Sequence, residues 1–393
     1  MDDIDLKDFL PLKGRKIVVA SSGSVSVYRM PDLVRDLRRE GADVWVAMSQ
    51  GASRLVSPEL MKWASGHNVA VEITGDIEHI SLIEDREDVL LIVPATYNTI
   101  GKMSSGIADS IVTALFSHAL GNGNRIIAVP VMHLSMYSNP IMQRNLQMLR
   151  EMGVRIIDPI EAQGKAKIPL SATIVDEAVR ASASAVSGRN ALVITGKGHA
   201  ELDPVRLITN RSSGETGYWL ARSLYRAGFS VTVLGSVPRE LPGQIKHIPA
   251  GDVGEFFDRT RSLLRESYSV VTLPAAIPDF APERSAGKID STSSFEMKLN
   301  PVPKLVDEIR KHHKGLLVPF RLTSESADDT FRHFKTSRPD AVVLNYYDTE
   351  GGPFGDGKCR FIFLTPDGKK TIIGINKEEA CTSIAKEIAE MVK

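Results

Sequence analysis

At 393 residues the chain is long for one compact domain and comfortable for two, each able to bury its own core. Its 42% hydrophobic and 24% charged residues fit a folded globular protein and exclude global disorder. Lys+Arg and Asp+Glu balance at 48 each, so the basic excess needed for non-specific nucleic-acid or membrane binding is missing. The two cysteines, Cys359 and Cys381, have neither disulfide-framework nor metal-ligand spacing, which points to a reducing compartment. The start, Met1-Asp2-Asp3-Ile4-Asp5, is acidic where a secretory signal would be basic, and no apolar run approaches the roughly 20 residues that span a bilayer. A soluble cytoplasmic protein is expected.

The first half alternates short β-branched runs with amphipathic stretches. Arg15–Ala20 is expected as a buried strand, Pro31–Glu40 as a helix stopped by Gly41, and Val44–Met48 and Val89–Val93 as further strands. A helical stretch, Ile107–Leu120, precedes the strand Arg125–Val129, and Ser171–Val186 reads as a closing helix before the turn Ser187-Gly188-Arg189-Asn190. The pattern then restarts: strand Ala191–Thr195, helix Thr216–Ala227, and strands at Ser230–Leu234, Val270–Leu273, Gly315–Pro319 and Ala341–Asn345. Arg360–Leu364 and Thr371–Gly374, joined through Pro366-Asp367-Gly368, read as a terminal hairpin. Strands alternating with helices imply parallel sheets covered on both faces. The expected fold class is therefore α/β, two Rossmann-like three-layer domains, with residues 1–186 in the first and 187–393 in the second. No fixed-period repeat relates the two.

In open parallel sheets ligands bind outside the carboxyl ends of the strands, and the notable residues of the first half fall at such ends. Ser22-Gly23-Ser24 follows the first strand, Ser49 the second, Pro94–Asn98 the third and Pro130–His133 the fourth. A G-x-G-x-x-G sequence is absent, which argues against an ordinary dinucleotide unit. Ser22–Val25, PATYNTIGKMSSGIADSIVT (94–113) and PVMHLSMYSNPIMQRN (130–145) together resemble the flavin-dependent cysteine decarboxylase family, which includes phosphopantothenoylcysteine decarboxylases and peptidyl-cysteine decarboxylases. The resemblance implies a flavodoxin-like domain binding FMN through Ser22, Gly23, Ser24, Ser49, Ala95, Asn98, Ser104, Ser105 and Asp109. It implies substrate contacts from Met132, His133 and Asn139, and makes His79 the catalytic acid/base, at the start of a short helix whose dipole favours a neutral ring. The implied chemistry is oxidation of a cysteine thiol to a thioaldehyde, loss of CO2, and reduction of the resulting enethiol.

Two departures from that family are visible. His133 stands where Asn is usual, and the flap stretch Ile160–Pro169 lacks the proton-donating Cys, leaving Lys165 or Lys167 as candidate donors or as solvated charges.

In the second half, Gly196-Lys197-Gly198-His199 is a weak phosphate-loop candidate. The stretches DPVRLITNRSSGETGY (203–218), AAIPDFAPERSAGKIDS (275–291) and FKTSRPDAVVLN (334–345) resemble the phosphopantothenate–cysteine ligase family. That implies a nucleotide-binding ligase domain in which Asn210 holds an acyl-nucleotide intermediate, Ala275, Ala276 and Asp279 line the nucleotide site, and Lys288 covers it from a lid. CTP or ATP with Mg2+ would activate phosphopantothenate for attack by cysteine. Glu215 and Asp290-Ser291 replace residues usually basic there. Joined, the halves imply a bifunctional enzyme of coenzyme A biosynthesis, a homo-oligomer (trimer or dodecamer through the flavin domain) with no nucleic-acid or membrane partner. The alternative, prompted by the missing flap Cys, is a flavin-binding regulatory protein of the same family.

Overall fold

The computed structural model describes residues 10–183, 188–292, 294–323, 327–346, 359–374 and 376–392. The chain divides into two compact units, Met1–Ser184 and Ala185–Lys393.

The first unit is built on five strands: β1 (Lys16–Ser21), β2 (Asp43–Met48), β3 (Val89–Ala95), β4 (Arg125–Pro130) and β5 (Arg155–Ile156). They pair in parallel in the order β2-β1-β3-β4-β5. Alternate side chains feed opposite layers, as the strand's period of two requires. Ile17, Val19, Leu91 and Val93 pack under helices Met30–Arg39 and Ser171–Ser182, while Val18, Ala20, Leu90 and Ile92 pack under helices Tyr97–Ser104, Ile111–Asn122 and Pro140–Glu151. With both faces covered, all seven residues of β3 are buried, hence the unbroken apolar run in its sequence. The closing helix ends at Ser182; positions 184–187, where the sequence places its last turn, lie outside the described residues.

The second unit carries β6 (Asn190–Thr195), β7 (Ser230–Gly235), β8 (Lys246–Ile248), β9 (Val270–Leu273), β10 (Leu316–Thr323), β11 (Val342–Tyr346), β12 (Cys359–Thr365) and β13 (Gly368–Gly374). Their order is β8-β7-β6-β9-β10-β11-β12-β13, parallel as far as β11 and then antiparallel. The terminal hairpin turns on Pro366-Asp367, with Thr365 paired to Gly368. Helices Glu215–Arg226 and Lys377–Met391 cover one face over Ala191 and Val193, and Val253–Leu263 and Leu305–His312 the other over Leu192 and Ile194. In both units the direction in which strands are added to the sheet reverses beside the first strand, between β1 and β3 and between β6 and β9. Such reversals leave a crevice at the strands' carboxyl ends.

Candidate active sites

In the first unit that crevice is a cavity of about 970 Å3, at the upper end of the range for small-molecule sites. It gathers Ser22, Gly23 and Ser24 from the end of β1, Ser49 from the end of β2, Asn98 and Asp109 beyond β3, and Met132 and His133 beyond β4. The Ser22 hydroxyl donates to the Pro94 carbonyl at 2.6 Å and accepts from the Thr96 N–H at 3.0 Å, tying the two loops that flank the crevice. At Gly23 a Cβ would stand 3.1 Å from the Gly51 backbone, so a side chain there would crowd the two lining loops where they approach each other. Four lining residues cap helix starts: Ser24, Ser49, Thr96 and Ser110. Two of these helices, Tyr97–Ser104 and Ile111–Asn122, are long enough to direct a partial positive charge into the cavity. Ser110 forms a capping box with Thr113. Lys102 holds Asp109 at 2.5 Å, and this contact keeps the Asp109 carboxyl below the usual carboxylate range.

Five predicted residues lie outside this lining, each for a local reason. Ala95 is fully buried in β3 and takes part through its carbonyl, which accepts from the Val131 N–H at 3.0 Å. Ser104 donates to the Gly101 carbonyl within its own helix, and Ser105 closes that helix on the exposed side. The Asn139 side chain caps helix Pro140–Glu151 by accepting from the Ile141 N–H at 2.8 Å. His79 sits on the short helix Glu78–Ser81, edge-on to His118 with ring centroids 6.4 Å apart, and its Nδ1 is buried without a hydrogen-bond partner. Conversely, Thr99, Ser110 and Thr113 line the cavity beside Thr96 without being singled out by the family motifs, although the spacings Thr96-x-x-Thr99 and Ser110-x-x-Thr113 are visible as cap signals.

The flap stretch is a hairpin, Ile160–Ala162 with Lys165–Lys167, whose second strand pairs with Met132–His133. Its two-residue turn puts Gln163 at φ 54° and Gly164 at φ 69°, the left-handed pair a tight hairpin requires. Cys359 and Cys381 both belong to the second unit. Burial pushes the Cys359 thiol up to about 11 and the Cys381 thiol higher still, so neither has the character of an acid near neutral pH.

In the second unit a cavity of about 210 Å3 lies beyond β9 and β10. It brings Ala275 and Ala276 against the loop from Ser212 to Gly217, at the start of helix Glu215–Arg226. Arg321, Asn345 and Lys377 complete the wall from three distant strand and helix ends. Gly214 is at φ 80°, and a Cβ on Gly217 would fall 1.8 Å from Thr195 Oγ1. Gly217→Ala is therefore expected to cost about 1–3 kcal/mol by overpacking, read as a lowered unfolding transition of the second unit. Glu215 is matched rather than isolated: Arg239 reaches it at 2.6 Å and lies over the Tyr218 ring at 4.5 Å.

Asn210, Asp279 and Lys288 lie outside that cavity. Asp279 is exposed and paired with Lys304 at 2.5 Å. Asn210 follows the strand Leu207–Thr209, which pairs with His199–Glu201 in a hairpin. Lys288 occupies an exposed loop gripped by that hairpin's tip. There the Ile289 N–H donates to Asp203 at 3.1 Å, the Ser285 N–H donates to the Leu202 carbonyl at 2.9 Å, and Arg284 pairs with Glu201 at 2.8 Å. Among the described residues no group of three or more His, Cys, Asp or Glu is placed to hold a metal ion, and no helix is long and apolar enough to cross a membrane.

Two α/β units in series, each with a cavity where the strand order reverses, define a two-domain α/β protein with a candidate ligand site in each unit. The Flavoprotein family matches residues 10–182, and the family described as DNA/pantothenate metabolism flavoprotein C-terminal domain matches residues 186–392. The chain is 33% identical to the coenzyme A biosynthesis bifunctional protein CoaBC of Thermococcus kodakarensis, across 97% of this chain and 96% of that protein. It is 31% identical to the protein of the same name from Methanocaldococcus jannaschii, across 97% and 95%. Among solved structures, the FMN-dependent cysteine decarboxylase SpaF is 29% identical, covering 44% of this chain and 99% of its own, with a TM-score of 0.39. The chain belongs to the coenzyme A biosynthesis bifunctional protein family.

Proposed function

We propose that the chain catalyses two consecutive steps of coenzyme A biosynthesis. The second unit joins 4'-phosphopantothenate to cysteine, and the first decarboxylates the product, 4'-phosphopantothenoylcysteine, to 4'-phosphopantetheine. Similarity along nearly the whole chain to bifunctional relatives carries this reading.

The large cavity suits FMN: bare backbone at Gly23, capped helix starts at Thr96 and Ser110, and hydroxyls around them offer donors to a phosphate and to flavin carbonyls. When bound, the flavin supplies a reversible two-electron oxidation of the substrate thiol, which makes the adjacent carbon an electron sink for CO2 loss. The protein's part is to bind and orient. Ser22, Ser24, Ser49, Asn98 and Asp109 position the cofactor, Met132 and His133 receive the substrate, and His79 moves the thiol proton. His79 lies outside the lining of its own unit's cavity, and in this reading it serves the cavity of a neighbouring copy in a homo-oligomer.

In the second unit the phosphopantothenate carboxylate attacks the α-phosphate of CTP or ATP, releasing pyrophosphate. The cysteine amine then displaces the nucleoside monophosphate from the acyl carbon. Ala275 and Ala276 line the nucleotide's path, Lys288 balances charge at the α-phosphate, and Asn210 holds the acyl nucleotide. Mg2+ enters with the nucleotide phosphates as part of the substrate.

Purified protein is expected to be yellow and to release FMN on denaturation. Given phosphopantothenate, cysteine, Mg2+ and either CTP or ATP, it should form 4'-phosphopantothenoylcysteine and then a product lighter by CO2, read by mass. A colourless protein indifferent to added FMN would sink the decarboxylase half, and absence of product with both nucleotides the ligase half.

A further inference from the structure

Beside the large cavity, and sharing Ser24, Val131, Met132 and His133 with it, lies a second cavity of about 380 Å3. Its outer wall is the flap strand Lys165–Lys167; its opposite wall is the turn of helix Val25–Arg29 that follows β1. The two cavities differ in charge. The large one includes the carboxylates of Glu72 and Asp109 beside Lys102, whereas the second contains Arg29, Lys165 and Lys167 and no Asp or Glu in its lining.

The positions of these cations follow from the backbone. Pairing of Met132 with Ala166 and of His133 with Lys165 fixes the flap strand across the mouth of the site. Residues 165 and 167 share a side of a strand by its period of two. Lys167 is steadied by Gln163 at 2.7 Å, and Arg29 by the Ile168 carbonyl at 3.4 Å. Three cationic residues line one small space that adjoins the large cavity through Ser24, Val131, Met132 and His133. Gathering like charges is unfavourable unless an anion offsets them.

We propose that this second cavity is the subsite for the phosphate of the decarboxylase substrate, with Arg29, Lys165 and Lys167 as its binding groups. The proposal rests on the decarboxylation assigned to the first unit. It gives the two flap lysines a binding role in place of proton donation, and it requires the site to distinguish a phosphorylated substrate from its dephosphorylated counterpart. Phosphate bears close to two negative charges at neutral pH, and charge-assisted hydrogen bonds to it are about twice as strong as neutral ones.

The test compares 4'-phosphopantothenoylcysteine with its dephosphorylated counterpart, pantothenoylcysteine, in the full flavin-loaded chain. For Arg29→Gln and for Lys165→Gln with Lys167→Gln, KM for the phosphorylated substrate should rise about 10- to 100-fold, with kcat nearly unchanged and KM for the other substrate unmoved. Lys165→Arg with Lys167→Arg should recover most of the loss. FMN affinity, followed by flavin fluorescence, should stay as in the wild type, and an unchanged unfolding transition of the first unit reports that the variants are folded. Equal effects on both substrates, a fall in kcat alone, unchanged KM, or weakened FMN binding would each overturn the subsite, the last by assigning the cations to the flavin phosphate. A wild-type protein that binds FMN and decarboxylates neither substrate removes the activity itself, and the subsite with it.

Discussion

His79→Asn is expected to slow CO2 release from 4'-phosphopantothenoylcysteine by about 10²- to 10⁴-fold, the usual share of a positioned acid or base, while FMN content and ligation stay near wild type. The expectation comes from how the ring is held. Glu78 accepts the Thr74 N–H at 2.7 Å and the Thr74 hydroxyl, pinning the start of the Glu78–Ser81 turn behind Ile77 at φ 48°. His118 stands edge-on to the imidazole and is itself fixed by the Ile83 carbonyl at 3.0 Å. The ring is thus oriented by its surroundings, yet Nδ1 is buried and has no hydrogen-bond partner. A buried polar nitrogen without a partner is costly, and in the proposed reading this nitrogen is kept clear for a proton. Asparagine keeps polarity and approximate size but cannot take up a proton near neutral pH. Unchanged CO2 release in a yellow, ligating His79→Asn protein would remove His79 from the mechanism.

The sequence revealed the long strands because burial on two faces forces continuous apolar runs, as in Val89–Val93 and Ala191–Thr195. It also marked the strand-end loops, since parallel sheets expose their ligands there. The flap hairpin at residues 160–167 and the hairpin at 199–209 do not read as strands in the sequence. Each has three-residue strands of mixed polarity, with no periodicity to detect. Ala95, Ser104, Ser105 and Asn139 were legible as residue types but not in their local roles, which are burial in a strand and bonding within or at the end of a helix. Arg321, Asn345 and Lys377 could not be grouped from sequence, because only the sheet order brings their strand and helix ends together. Glu215 reads in sequence as lost positive charge. Arg239, on the loop after β7, pairs with that carboxylate at 2.6 Å and offsets its negative charge.

Asp203 is the second residue whose loss should be felt strongly, though no reacting atom is assigned to it. One carboxylate oxygen accepts the Val205 and Arg206 N–H groups at 2.8 and 2.7 Å; the other accepts the Ile289 N–H at 3.1 Å and faces the Arg206 guanidinium at 3.5 Å. It therefore closes the tip of the hairpin that leads to Asn210 and grips the loop that carries Lys288. Burial acts to raise the Asp203 carboxyl, but the three N–H donors and the Arg206 charge outweigh it, so its pKa lies below the ordinary value near 3.8. A depressed carboxyl contributes stability that is complete above the ordinary value and is lost as pH falls through the lower folded one. The grip on the Lys288 loop should accordingly persist throughout the neutral range and fail only in strong acid. Asp203→Asn keeps an acceptor but removes the charge and one of the two accepting oxygens, so the Ile289 contact is the one expected to loosen. A displacement of about 1 Å at a positioned group can cost on the order of 100-fold, and single-turnover formation of the acyl nucleotide should slow by about 10- to 100-fold with decarboxylation untouched. Lys288→Gln in the same assay tests the lysine directly, and the double variant tests the connection. If Asp203 acts through the Lys288 loop, adding Asp203→Asn to Lys288→Gln should slow the step little further, since residues working through one group are not additive. Full additivity would make Asp203 a structural residue of the hairpin alone, and normal activation in Lys288→Gln would remove the group it is thought to position.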